Sequence, residues 1–399
     1  ASALMLMLAG SLGAALRIPG LGIGLALPMI GGVSLLLLVP RWDDALRLLR
    51  LQRVAVWCAV ATWAWLAVAA ALSPRPLVAW EAWLKIGIFG LAGVAVAAVC
   101  ADRNRRRVVV DTVLVFLTLL ALFGIAEAVW PQNLMLQVLR SESSLSITPR
   151  VASLLPWPNQ FGVLMVFALA VLEVRRPELR SRAVMWALRV LFLSQVAQSG
   201  SRNAWLVLGG ALVVLVAFRI APAKRAALLV LVFVVIGLTL PVPARQAGLR
   251  RGSWLPPANR IIHEPRGWSP SLSPAEQSFS LRSKLWRGAR STIAGPPLTG
   301  IGPRVVPGTG GVEVVGREGF NTHNLGLEIG AAGGAVGVVL AGATVLLLVL
   351  GAPRPRRRWV APLLVLGGGQ VLDCFLHDPT FSVLLAVSVA LFITLGEDP

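Results

Sequence analysis

What most constrains this chain is an alternation of long apolar runs with short arginine-bearing segments. The runs fall at 2–16, 20–40, 54–72, 79–100, 108–130, 158–174, 184–199, 203–219, 225–241, 325–350, 359–376 and 379–395. A helix needs about 20 apolar residues to cross the hydrocarbon of a bilayer, and an irregular backbone exposed to lipid there would leave its polar groups unpaired. The pattern therefore predicts an all-α polytopic membrane protein of about 12 transmembrane helices. Composition agrees, since 56% hydrophobic and only 14% charged residues exclude a soluble globular domain of this length.

The net charge of +19 is not one patch. Arg41, Arg47, Arg50 and Arg53 follow the second run, Arg103 and Arg105–Arg107 the fourth, Arg175, Arg176, Arg180 and Arg182 the sixth. Arg219, Lys224 and Arg225 follow the eighth, and Arg354 with Arg356–Arg358 the tenth. These are alternate loops, so the excess marks a cytoplasmic side and both termini face it. The distribution speaks for topology rather than nucleic-acid binding. Tyrosine is absent, and fourteen tryptophans take the interfacial role. The cysteines Cys58, Cys100 and Cys374 stand apart in or near apolar segments, which predicts neither a disulfide framework nor a thiolate metal site. The first apolar run has no basic stretch ahead of it and reads as a membrane helix rather than a cleaved signal.

Three parts follow: transmembrane helices 1–9 over residues 1–241, a periplasmic loop domain over 242–324, and helices 10–12 over 325–399. The loop carries eleven basic and four acidic residues, a net of +7 on the side where charge is usually sparse. Loops longer than about 60 residues escape the positive-inside rule, so the orientation stands. Such a loop is either a solvated basic segment or a surface for a phosphate-bearing ligand. Within it, Leu281, Leu285, Ala289 and Ile293 recur every fourth residue beside Arg282, Trp286 and Arg290. That periodicity over Gln277–Ala294 predicts an amphipathic helix on the outer bilayer surface.

The polar residues gather at the outer boundary. Phe320-Asn321-Thr322-His323-Asn324-Leu325 ends the loop and opens an apolar, glycine-rich helix. A helix start offers free N–H groups and a partial positive charge. His323 admits two readings there, a functional group or an interfacial residue beside a capping Asn321 or Thr322. Ser199-Gly200-Ser201-Arg202-Asn203 joins two runs by a turn too short to leave the interface, so Arg202 is either held on rigid elements or snorkels to headgroups. Arg150 precedes Pro158-Asn159, Glu127 ends the fifth run, and Glu81 with Lys85 fits a structural pair at i, i+4. Asp373 lies near the outer end of the eleventh run, four residues before His377. Gly326, Gly330, Gly333, Gly334 and Gly337 would let the tenth helix approach a neighbour closely. No Walker loop, Asp-x-Asp or His-x-x-x-His pattern is present, and no metal or cofactor is expected.

Thr322-His323-Asn324 with Leu327-Glu328 and Gly330…Gly334, Ser199-Gly200-Ser201-Arg202 between two runs, Arg150 ahead of Pro158-Asn159, and Arg282 with Trp286 together resemble the O-antigen ligase family. Its wider group includes O-antigen polymerases and bacterial protein O-oligosaccharyltransferases. The resemblance covers roughly residues 100–380. It implies a glycosyltransferase of the bacterial inner membrane with its active site facing the periplasm. The donor would be a glycan on undecaprenyl diphosphate and the acceptor lipid A–core, with no nucleic acid involved. It also implies that His323, Arg202 and Arg282 are the catalytic residues, with Arg150, Arg290, Asn324 and Asp373 binding substrate. The chemistry suits them: fixed arginines can stabilise a leaving diphosphate without a metal, and a histidine can take the acceptor hydroxyl's proton. A polymerase of the same group would differ in acceptor only. A transporter would place its polar site near mid-depth on broken helices, where the sequence shows no polar cluster.

Overall fold

The computed structural model describes residues 1–12, 26–129, 151, 153–155, 158–175, 181–239, 283, 286–291, 293–303, 324–350, 357–372 and 378–394. Among these the main elements are thirteen α-helices, and there is no strand. They are α1 (Ser2–Leu12), α2 (Ala26–Leu38), α3 (Trp42–Leu51), α4 (Arg53–Ala71), α5 (Pro76–Cys100), α6 (Arg103–Val129) and α7 (Pro158–Arg175). Then come α8 (Arg182–Ser199), α9 (Arg202–Ala217), α10 (Ala223–Thr239), α11 (Leu325–Leu350), α12 (Arg357–Leu372) and α13 (Pro379–Thr394). Six stretches are long and apolar enough to cross a membrane: Ala26–Leu51, Arg53–Ala71, Pro76–Cys100, Arg103–Val129, Pro158–Arg175 and Leu325–Leu348. Ser2–Leu12, Arg202–Ala217, Trp359–Gln370 and Pro379–Thr394 are apolar but shorter. The chain is thus an all-helical, multi-pass membrane protein, with six rather than twelve helices of clear spanning length among the described residues.

The helix α7 is the axis of the bundle. Every residue from Gln160 to Glu173 is buried. A helix apolar on all faces is stable only when other helices surround it, and α6, α8, α9 and α12 do so. Phe161, Phe167, Phe192, Phe381 and Phe392 fill the core around it. At the periphery, α4 packs on α5 and α11 and leaves Val54, Trp57, Val60, Trp63 and Val68 exposed. Glu81 and Lys85 on α5 pair as their spacing suggests, and Trp63 stacks on Trp83 with ring centroids 4.3 Å apart.

Arg47 and Arg50 belong to a helix rather than to a loop. Asp43 and Asp44 open α3, Arg50 closes it, and Ala45 and Leu48 are buried as α3 packs on α5. The acid-first, base-last order suits the helix dipole. The ends that carry the basic residues are tied by ion pairs that the sequence did not announce. Glu173 on α7 accepts a hydrogen bond from Arg189 Nε at 2.6 Å, both side chains being buried. Arg225 reaches the second Glu173 oxygen at 3.5 Å. Arg175 grips Asp111 through two bonds of 3.1 and 3.2 Å, and Arg106 donates to the Thr394 carbonyl at 2.7 Å.

The glycine series on α11 does more than pack. Gly334 has φ +61° and ψ −160° inside the helix, a conformation that L side chains avoid. The break frees carbonyls that residues 297–302 then use. Ile301 N–H donates to Ala331 O at 2.8 Å and Gly302 N–H to Ala332 O at 3.0 Å. Ala335 N–H donates to Pro297 O at 2.8 Å, and Trp65 on α4 closes the gap from the other side by bonding Gly333 O. A strap of the loop region is therefore inserted between the α4–α5 turn and α11, with Ile301 clustered beside Ala70 and Ala79. Irregular backbone within a spanning helix is tolerated where the freed groups find partners, as these carbonyls and the Ala335 N–H do.

Candidate active site

The Ser199–Asn203 turn is fixed by its own residues. Gly200, at φ +56°, ends α8 and bonds Ala197 O at 3.1 Å. Ser201 caps α9, its Oγ accepting from Ala204 N–H at 3.1 Å, and Ser199 Oγ accepts from Ser201 N–H at 3.3 Å. Asn203 turns inward and donates to Gly369 O of α12 at 2.9 Å. Below, Gly162 of α7 lies so close that a Cβ there would meet Ser199 Oγ at 2.5 Å and the Ala204 methyl at 2.8 Å. Arg202 is the first residue of α9, exposed and without an ion pair among the described residues. A charged side chain is thus displayed outward from a turn whose backbone has little freedom.

The chain entering α7 runs beside this turn. Val151 is buried and its N–H donates to Gln198 O at 3.4 Å. Ser153 adopts φ +55°, held by Glu127, which accepts its N–H at 2.7 Å, and by its own bond to Leu120 O at 2.7 Å. Arg150 itself lies outside the described residues, as do His323, Arg282, Asp373 and His377.

At the start of α11 Asn324 caps the helix; Asn321 and Thr322, the caps suggested by the sequence, lie outside the described residues. Its Oδ1 accepts from Leu327 N–H at 3.0 Å, and its carbonyl accepts from Glu328 N–H at 2.9 Å. Asn324, read above as a substrate ligand, therefore has its side-chain oxygen engaged in capping. Arg290 is exposed on a short helical turn over residues 286–291, where Gly288 and Ala289 are buried. Of the predicted apolar stripe, Ala289 is buried and Ile293 sits against Gly330 of α11, while Leu281 and Leu285 lie outside the described residues.

Two groups result. Arg202, Val151 and the start of α7 form one; the other is at the start of α11, where Asn324 caps the helix and Ile293, three residues after Arg290, reaches Gly330. Both α9 and α11 pack against α12, the helix after which Asp373 follows, so α12 joins the two groups. One carboxylate at this end escaped sequence reasoning. Asp378 caps α13, its Oδ1 accepting from Phe381 N–H at 3.0 Å. Burial pushes its carboxyl up to about 6, against the opposing pull of the Phe381 and Thr380 N–H groups. The signal was present as Asp378-Pro379, a capping residue followed by proline at the first helical position. No group of three or more histidine, cysteine, aspartate or glutamate side chains gathers among the described residues.

The segment from α8 through α11 also carries a family signature. Residues 187–342 match the O-antigen ligase family. That stretch holds Arg202, Arg282, Arg290, His323 and Asn324, and leaves out Arg150 and Asp373. The resemblance read from the sequence is borne out over this part of the chain. The match supports the O-antigen ligase and polymerase group and does not separate the two. No curated protein matches the chain.

Proposed function

We propose that the chain is an O-antigen ligase acting at the periplasmic face of the bacterial inner membrane. It moves a glycan from undecaprenyl diphosphate to a hydroxyl of lipid A–core. The observation that carries this reading is Arg202, exposed at the start of α9 on a rigid turn and making no ion pair among the described residues, inside the family-matched stretch. A lipid diphosphate keeps its anionic group at the interface, and a guanidinium fork suits its oxygens. In the step proposed, the acceptor oxygen bonds the anomeric carbon as the bond to the diphosphate oxygen breaks. Arg202 and Arg282 take the charge growing on the departing diphosphate, and His323 takes the proton from the acceptor hydroxyl. Arg150, Arg290 and Asp373 hold or orient substrate, and Asn324 holds the start of α11. The mechanism assigns no role to a metal, so transfer is expected to persist in excess chelator.

The test is single-turnover transfer with saturating lipid donor across pH 5 to 9, a range spanning the ordinary histidine pKa of about 6.5. His323→Gln should lower the rate by about 10²–10⁴ with donor binding retained. In the wild type the rate should rise through the histidine titration and level off. A near-normal rate in His323→Gln reduces His323 to a neighbour of the cap. The lipopolysaccharide profile of a deletion strain separates the two members of the group. Loss of all long-chain material with glycan left on the carrier indicates a ligase; a single repeat still joined to core indicates a polymerase.

A further inference from the structure

At the end of the bundle opposite the Ser199–Arg202 turn, α1, α2, α5 and α6 enclose a pocket of about 260 Å³. Leu4, Leu37, Val96 and Val109 make apolar walls, and Arg41 and Arg105 line it as well. Arg41 is half-buried. Its Nη1 donates to Leu37 O at 3.0 Å, and its buried Nε–H meets no acceptor among the described residues. Arg105, in the first turn of α6, is exposed and makes no ion pair among the described residues. The acid nearest to it in sequence, Asp102, is already engaged by the N–H groups of Asn104 at 2.7 Å and Arg105 at 3.1 Å.

Such a site has positive charge, a buried N–H with no acceptor among the described residues, and apolar walls beside both. A buried donor in that state gains free energy when an acceptor reaches it. Phosphate oxygens match guanidinium geometry, and an acyl chain matches valine and leucine walls. We propose that this pocket binds the phosphate of an anionic phospholipid, with Arg41 and Arg105 on the headgroup and an acyl chain along α5 and α6. Neither residue belongs to the transfer site, so the proposal stands apart from it.

The full chain is purified in detergent containing equal phosphatidylglycerol and phosphatidylcholine, and retained lipid is read by native mass spectrometry. The wild type should keep phosphatidylglycerol in preference. Arg41→Gln and Arg105→Gln should each lower its retention about tenfold, the worth of one charge-assisted bond, with phosphatidylcholine unchanged. Val99→Trp, which fills the pocket and keeps both arginines, should lower it too. Arg105 is exposed, so its variant is expected to fold and remains informative if the others do not. Equal retention by the wild type and Arg105→Gln overturns the proposal. In a second arm, delipidated protein is heated with excess inorganic phosphate. If phosphate stabilises it in an Arg41-dependent way and phosphatidylglycerol does not, the ligand is a soluble anion and the lipid assignment is overturned.

Discussion

Trp65 and Gly333, 268 residues apart in sequence, are joined by one hydrogen bond of 2.8 Å from the indole N–H to the carbonyl that the break in α11 releases. The bond ties a peripheral helix to the one place where a spanning helix is interrupted. Trp65→Phe keeps the ring and removes the donor, leaving a carbonyl with nothing to accept from. We expect a loss of about 1–3 kcal/mol, read as a lowered unfolding temperature in detergent. Gly334→Ala should cost more, because its φ is +61° and a Cβ would meet the Leu298 carbonyl carbon at 2.4 Å. A Gly334→Ala protein as stable as the wild type would mean that α11 is continuous.

Arg202 and the glycine beneath its turn give a paired prediction. Arg202→Lys keeps the charge and loses the fork, so most transfer should disappear with expression unchanged. Gly162→Ala leaves Arg202 in place but pushes on Ser199 and Ala204, an overpacking worth about 1–3 kcal/mol. It should lower transfer by displacing the turn. Full activity in both variants would remove Arg202 from the site.

The buried pair of Glu173 and Arg189 should reward double substitution. Glu173→Gln leaves the Arg189 charge buried and poorly compensated and is expected to cost about 3–5 kcal/mol. Glu173→Leu combined with Arg189→Met should recover most of that loss, since neither apolar residue carries a desolvation penalty. Unfolding of the single and double variants checks it, and a double variant no better than Glu173→Gln would count against the pair.

Asp378 predicts a pH effect of definite sign. Burial raises its carboxyl from 3.8 to about 6, so the folded state favours the protonated form. Its contribution to stability is full below the lower value and is lost as pH rises through about 6. Asp378→Asn keeps an oxygen for the Phe381 N–H and cannot ionise. Its stability should vary less than the wild type's between pH 4 and 6 and exceed it above that range, as measured by thermal unfolding across pH.

How much the sequence disclosed depended on whether the signal was local. The runs at 79–100, 158–174 and 325–350 became Pro76–Cys100, Pro158–Arg175 and Leu325–Leu350, because hydropathy over one helix decides its existence. The Ser199–Arg202 turn was equally plain, since Gly200 and Ser201 are stop and start signals in adjacent positions. Trp42–Leu51 was read as a loop because its arginines were counted only as topology markers; Asp43-Asp44 ahead of Ala45 and Leu48 already spelled a helix. The strap over 297–302 could not be inferred, because its bonds join segments whose proximity only the folded bundle creates. Gly300, Gly302 and Gly334 hinted at close approach without naming the partner. Glu173 with Arg189 was missed for a related reason, one charge being hidden near the end of each of two runs.

A helix that no lipid touches has a history as well as a position. While the chain is being threaded into the membrane, α7 emerges before α8, α9 and α12 exist to cover it. In that interval Gln160 and Glu173, both buried in the finished bundle, would face hydrocarbon or the insertion machinery, where an uncovered carboxylate is costly. The segment is also among the least apolar of the spanning stretches. Arg189, on the next helix made, is the partner that meets Glu173, so the compensation of this carboxylate is complete only once α8 packs on α7.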